Sequence, residues 1–235
     1  MTLLSRRLFL ATPLATLFAQ AGAASPAPAP LFRDPIYDGA SDPVAIWNRQ
    51  EKNWWLLYTQ RRANVDGPGV AWVHGCDIGV ARSTDDGHSW RYLGILPGLE
   101  YERGRNTFWA PEIVWHEGVY HMYASYVPGV PRDWSGARRM VHYSEPGKRP
   151  DDGVKGGHAD VLVQGEDAWV FYFTHPGRVP GVPPPPREVR DVEPYAPRRT
   201  SVQVAKLELE GTEIVCRRDE PFPFRLQPGV DNWTR

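Results

Sequence analysis

Three times along this chain an apolar strand with a small or acidic opening is followed within a few residues by a second, aromatic-rich strand. The copies are Asp42-Pro-Val-Ala-Ile-Trp47 with Trp54-Trp-Leu-Leu-Tyr-Thr59, Ala110-Pro-Glu-Ile-Val-Trp115 with Val119-Tyr-His-Met-Tyr-Ala124, and His158-Ala-Asp-Val-Leu-Val163 with Trp169-Val-Phe-Tyr-Phe-Thr174. A supersecondary unit repeated in this way hides its faces against its neighbours, which predicts an all-β, blade-built architecture. No long stretch carries apolar residues at helical spacing, and 24 Pro, 22 Gly and 10 Trp suit turns and β-structure.

Further strands complete the units. Residues 76–83 and 91–94 follow the first pair, 139–143 the second, and 201–209 with 213–216 the third. The Gly/Pro-rich connections at 63–75, 127–137, 145–157 and 175–199 are long enough to build a site. Within 175–199 the run Pro183 to Pro186 reads as polyproline II. Ser83-Thr-Asp85-Asp-Gly87-His-Ser-Trp90 fits the Ser-x-Asp-x-Gly-x-x-Trp pattern of the Asp box, a link between outer propeller strands. There Asp85 accepts backbone N–H groups, Gly87 takes a positive φ and Trp90 packs back on the blade.

The N-terminal residues stand apart. Ser5-Arg6-Arg7-Leu8-Phe9-Leu10 precedes a short apolar run and the small residues Ala21-Gly22-Ala23, so 1–23 resembles a twin-arginine signal peptide and implies export to the periplasm or beyond. Residues 24–30 read as a flexible or extended Ala/Pro leader, and 31–235 as a single domain. A net charge of −1 gives no footprint for nucleic acid, and no membrane association is expected after signal cleavage. Cys76 and Cys216 leave two readings open, a disulfide or two separate thiols.

Aligned on their first strands, the repeats place Glu112 and Asp160 in one register with Asp42 two residues earlier. Period-two alternation then sends all three carboxylates to one face. Strand starts around a propeller axis converge on a funnel, and converging carboxylates suit acid/base chemistry; the alternative is that each acid merely satisfies a turn. Trp109, Trp115 and Trp134 are candidates for stacking on sugar faces, with most other tryptophans expected in the core. The pairs Arg61-Arg62, Arg138-Arg139 and Arg198-Arg199 read as solvated surface, with grip on carboxylates or hydroxyls as the alternative. No His-Glu-x-x-His, Gly-x-Ser-x-Gly or phosphate-cradling glycine loop occurs.

At Trp109-Ala-Pro-Glu-Ile-Val-Trp-His-Glu-Gly-Val-Tyr-His-Met-Tyr-Ala124 the chain resembles the family-43 glycoside hydrolases, five-bladed propeller enzymes acting on plant and algal polysaccharides. Asp42-Pro43, Asp77-Ile-Gly-Val-Ala-Arg-Ser83, Gly156-Gly-His-Ala-Asp-Val-Leu-Val163 and Phe171-Tyr-Phe-Thr-His-Pro176 extend the likeness over most of residues 31–235. The resemblance implies inverting hydrolysis by two carboxyl groups about 6.5–9.5 Å apart. It makes Asp42 the catalytic base, Glu112, Trp109 and Asp160 substrate-binding residues, and His158 a ligand of an axial calcium ion with Asp160 beside it. No other cofactor is implied, and the partner is an oligosaccharide or polysaccharide. The family's Ile-Asp-Ala-like segment, which holds an acid that tunes the general acid, and its Glu-Gly-Pro-like segment, which holds the general acid itself, have no counterpart here. An incomplete propeller of about three blades follows. That leaves a carbohydrate-binding remnant as the alternative to a working hydrolase, and a sialidase, suggested by the Asp box, as a third reading. Sheet edges left open by missing blades favour self-association.

Overall fold

A computed structural model describes residues 25–100, 102–132, 146–154, 156–178 and 194–230. The expected signal peptide 1–23, the predicted strand 139–143, Trp134, the Arg138-Arg139 pair and the proline run 183–186 lie outside these residues.

The described chain is all-β apart from a 3-10 turn at 71–73 and a four-residue helix α1 (Tyr195–Arg198). Strands β1 (Ala40–Asn48), β2 (Asn53–Gln60), β3 (Asp77–Ser83) and β4 (Arg91–Ile95) form an antiparallel meander in that spatial order. The second unit is the hairpin β5 (Thr107–His116) and β6 (Val119–Val127). The third is β7 (Gly157–Gln164), β8 (Asp167–Thr174), β9 (Ser201–Glu210) and β10 (Glu213–Val215), again a meander. Each predicted hairpin therefore forms, and the three stack face to face. No closed ring is formed among the described residues, nor does any described helix have the length and apolarity to cross a membrane.

The first sheet is the middle layer. On one face Ala45, Trp54, Leu56, Tyr58 and Ala81 pack with Leu162, Trp169, Phe171, Val202 and Val204 of the third sheet. On the other, Val44, Ile46, Leu57, Ile78 and Val80 receive Phe108, Ile113, Tyr120 and Met122 of the hairpin. Strand alternation beyond Pro43 explains how one sheet serves two cores: Val44 and Ile46 of β1 face the hairpin, and Ala45 and Trp47 face the third sheet. Residues 25–30 run extended beside the C-terminal segment. Ser25 accepts a hydrogen bond from the Phe224 N–H, Pro26 lies opposite Pro223, and Ala27 packs on the core.

The turn between β3 and β4 carries the Asp-box chemistry read from the sequence. Ser89 N–H and Oγ donate to Asp85, Ser83 Oγ donates to Asp85 Oδ1 at 2.7 Å, and Trp90 Nε1 donates to the Gly87 carbonyl at 2.9 Å. Burial opposes the Asp85 charge, but the Ser89 and Ser83 hydrogen bonds outweigh it and hold the carboxyl below its ordinary range. Gly87 has φ 91°, and a Cβ there would lie 2.8 Å from the buried Leu226. Gly87→Ala is expected to lower stability by about 1–2 kcal/mol in a chemical-denaturation titration; an unchanged midpoint would show that the turn tolerates an ordinary residue.

Buried acids tie the loops down. Asp34 accepts four hydrogen bonds, from the Ile36 and Tyr37 N–H groups, Tyr58 OH and Gln60 Nε2. Asp38 receives Arg33, Arg199 and Tyr195. Burial disfavours its charge, yet these donors keep its carboxyl below the ordinary range. Cys76 is buried and Cys216 exposed, and both are free thiols.

Candidate active site

The innermost strand of each sheet is interrupted at the same place. The ladder shifts between Ser41 and Val44 in β1, between Trp109 and Glu112 in β5, and between Gly157 and Ala159 in β7. One residue in each bulge takes a positive φ: Asp42 at 50°, Ala110 at 49° and His158 at 31°. None is glycine. Backbone of this kind costs about 1–3 kcal/mol per residue and persists only where the surroundings enforce it. Two residues later the copies carry Val44, Glu112 and Asp160. The bulge suspends strict alternation at Asp42, so the period-two argument for a common face does not hold there. The acids are related instead through the convergence of the three inner strands.

That convergence is local and specific. Asp42, with 7% of its side chain exposed, takes a hydrogen bond from Ser41 Oγ at 3.2 Å and one from Arg61 Nη2 at 3.4 Å. His158 Nδ1 stands 3.7 Å from Asp42 Oδ1, its ring about half exposed. Asp160 crosses to β1, where its Oδ2 accepts from the Ala45 N–H at 3.4 Å. Burial, and then the neighbouring Glu112 charge, push the Asp160 carboxyl up to about 6. Glu112 faces solvent on one side, and partial loss of hydration raises its carboxyl, opposed by His158. Asp42, His158, Glu112 and Asp160 thus form one group at the strand entries.

The raised acid gives a stability prediction. An unfolded Asp ionises near 3.9, so between about pH 4 and pH 6 the folded chain holds the extra proton, and ionising Asp160 above that window costs stability. Asp160→Asn keeps an acceptor for Ala45 and removes the charge. Its melting temperature should exceed that of the wild type at about pH 8, by on the order of 2 kcal/mol in stability, with the gain vanishing below about pH 4. Equal melts at pH 8 would contradict the environment described for Asp160.

Other expected site residues are placed differently. Trp109 donates its indole N–H to the Val73 carbonyl at 2.6 Å and packs beside His74, Val70 and Trp72, so it is a wall residue with a partly exposed face. Trp115 lies under the Arg49 guanidinium and against Tyr120, in the contact between β1 and the hairpin. The solvated reading of the arginine pairs is overturned for Arg61, Arg62, Arg198 and Arg199. Arg61 is clamped between Asp42 and the Phe173 ring, 4.8 Å from its centroid. Arg62 donates to the carbonyls of His74 and Ala71. Arg198 is buried and reaches the Val65 carbonyl, and Arg199 pairs with Asp38 at 2.6 Å. Loop carbonyls and neighbouring sheets supply these partners from far along the chain. Arg61 is the residue of the site that the sequence reading left on the solvated surface; its hold on the Asp42 carboxylate is the alternative named for the arginine pairs.

Among the described residues no group of three or more His, Cys, Asp or Glu side chains is placed to hold a metal ion. His158 turns a nitrogen to a single carboxylate. Calcium takes six to eight oxygen ligands, so these residues do not fit the calcium site expected from the resemblance.

No family model and no curated protein matches the chain. Among solved structures it is similar to a thermostable family-43 glycoside hydrolase, at 17% identity and TM-score 0.31, covering 85% of this chain and 64% of that one. It is also similar to Zg3597, a family 117 glycoside hydrolase from the marine bacterium Zobellia galactanivorans, at 15% identity and TM-score 0.33, covering 84% and 74%. A GH32 β-fructofuranosidase, BmSUC1 of Bombyx mori, matches at 11% identity and TM-score 0.25, covering 76% and 37%. The chain thus spans less than two thirds of the family-43 structure. Superpositions this loose carry no inference about site or activity.

Proposed function

We infer that this chain is a glycoside hydrolase-like protein, an incomplete propeller that cleaves glycosidic bonds in plant or algal polysaccharide fragments with inversion. The observation that carries the reading is the meeting of Asp42, His158, Glu112 and Asp160 at three bulged strand entries, with one carboxylate held by Arg61 and another raised to about 6. Asp42 takes the proton of a water whose oxygen attacks the anomeric carbon. The bond to the leaving oxygen breaks, and that oxygen takes a proton from Asp160, the carboxyl that retains one closest to neutral pH. Glu112 and the exposed face of Trp109 line the sugar subsite. Export to the periplasm or medium fits a polymer-derived substrate.

A second reading, carbohydrate binding without turnover, is favoured by the sequence's lack of the Glu-Gly-Pro-like acid segment. A panel of aryl glycosides and oligosaccharides on the purified protein separates the two. Release of reducing sugar supports the hydrolase; calorimetric binding without release supports the second reading; neither response overturns both.

A further inference from the structure

The internal stacking of the three sheets has a direction. In β1, Val44 and Ile46 form a front face that meets the hairpin, while Ala45 forms a back face that meets the third sheet. The shared bulge fixes the equivalent residues in the other copies. In β5 the back residue Ile113 packs on the first sheet, leaving Val114 on the outward front. In β7 the front residue Leu162 packs on the first sheet, leaving Val161 and Val163 on the outward back. Both internal interfaces are therefore front on back, and among the described residues the stack ends in a front on β5–β6 and a back on β7–β10, the back being open around Val161, Val163, Leu209 and Ile214 while Tyr172 and Gln203 on the same face are covered by residues 150–152 and Arg218.

Those two ends hold most of the apolar surface left to solvent. Ten large apolar side chains are strongly exposed among the described residues, and six lie on these faces: Val119 and Tyr123 on the front, Val161, Val163, Leu209 and Ile214 on the back. Ladder partners confirm the sharing of faces. Val163 is opposite Ala168, Ala168 opposite Leu207, and Leu209 opposite Ile214, while Glu112 is opposite Tyr123 and His116 opposite Val119. The back gathers its apolar side chains together, while the front sets Val114, Val119 and Tyr123 among Glu112, His116 and His121; exposed apolar surface rimmed by polar residues marks an interaction site.

We propose that the front of the β5–β6 hairpin receives the open part of the back of the β7–β10 sheet, around Val161, Val163, Leu209 and Ile214, of a second copy of this chain, joining copies head to tail. The occupant is another copy because the required partner face is one the chain already makes and already packs twice within itself. Such a contact is heterologous, so copies add until a ring closes or a chain extends. It covers sheet faces rather than pairing strand edges. Glu112 lies at the start of the front face, so the neighbouring copy also walls the candidate site on its open side. The proposal stands independently of any hydrolytic activity.

Sedimentation velocity on the purified chain and two exposed-site variants tests it. Leu209→Lys disables the back and Tyr123→Lys the front, at side chains 71% and 66% exposed, where the fold does not depend on them. The wild type should gain mass with concentration from micromolar upward, and each variant alone should be monomeric. An equimolar mixture of the two should give a single dimer and nothing larger, since one working front meets one working back. A wild type that stays monomeric, a mixture that stays monomeric, or a Tyr123→Lys variant that still dimerises alone would each overturn the proposal.

Discussion

Asp42→Asn is expected to lower the turnover of any glycoside the wild-type chain cleaves by about 10³-fold, the usual contribution of a positioned acid or base. The substitution isolates chemistry from architecture. Asp42 sits at φ 50°, a conformation that Asn tolerates as Asp does and that Ala tolerates poorly. The amide still accepts from Ser41 Oγ and Arg61. What is lost is the negative charge facing Arg61 and His158, at a stability cost of about 1 kcal/mol given the 3.4 Å and 3.7 Å separations. Initial rates should collapse while the thermal melt moves by only a few degrees. Turnover unchanged in the variant would remove Asp42 from the chemistry, and a melt that collapses with the rate would assign it to the fold.

The largest stability effect is expected at Asp152, which is fully buried. Its carboxylate accepts from Tyr172 OH and from Arg218 Nε at 3.1 Å and Nη2, with Arg149 Nε 3.7 Å away. The Arg218 guanidinium also lies over the Tyr172 ring, 5.0 Å from its centroid. Asp152→Asn preserves the shape and removes the carboxylate charge that faces Arg149 and Arg218. Breaking a buried pair from one side costs about 3–5 kcal/mol, equivalent to a fall of roughly 6–20 °C in melting temperature for a chain of this size. Differential scanning calorimetry of wild type and variant measures it. Asp152→Leu combined with Arg218→Met should cost less than Asp152→Asn alone, because removing both partners leaves less charge uncompensated. The reverse order would show that the network acts through shape rather than charge.

The strands and the Asp-box turn were legible because their signals are local. Apolar alternation, the aromatic second strands and the Asp85–Gly87 spacing each lie within a few residues of what they specify. The alignment of Glu112 with Asp160 was legible for a related reason: the same extra residue is inserted in all three inner strands, so the bulge cancels in the comparison. What the pattern could not reveal was the bulge itself, which made alternation a poor guide to where Asp42 points. Arg61 and Asp152 were illegible for another reason. Arg61 is enclosed by Phe173, more than a hundred positions away, and Asp152 by Tyr172 and Arg218. Next to its own neighbours in sequence each reads as surface charge; the docking of the third sheet takes Arg61 out of water, and packing of residues 149–152 and 218 on the outer face of that sheet does so for Asp152.

Asp42, Ala110 and His158 occupy one conformational socket in three copies of a hairpin. Because the left-handed residue stands outside the alternation that builds the cores, its identity can change without repacking either sheet face. Duplication of such a hairpin therefore multiplies a scaffold while leaving one variable letter per copy, and here the three letters are an acid, a methyl group and an imidazole. A designer wishing to install a nucleophile, a cation or a ligand in this chain has an address for it at Ala110.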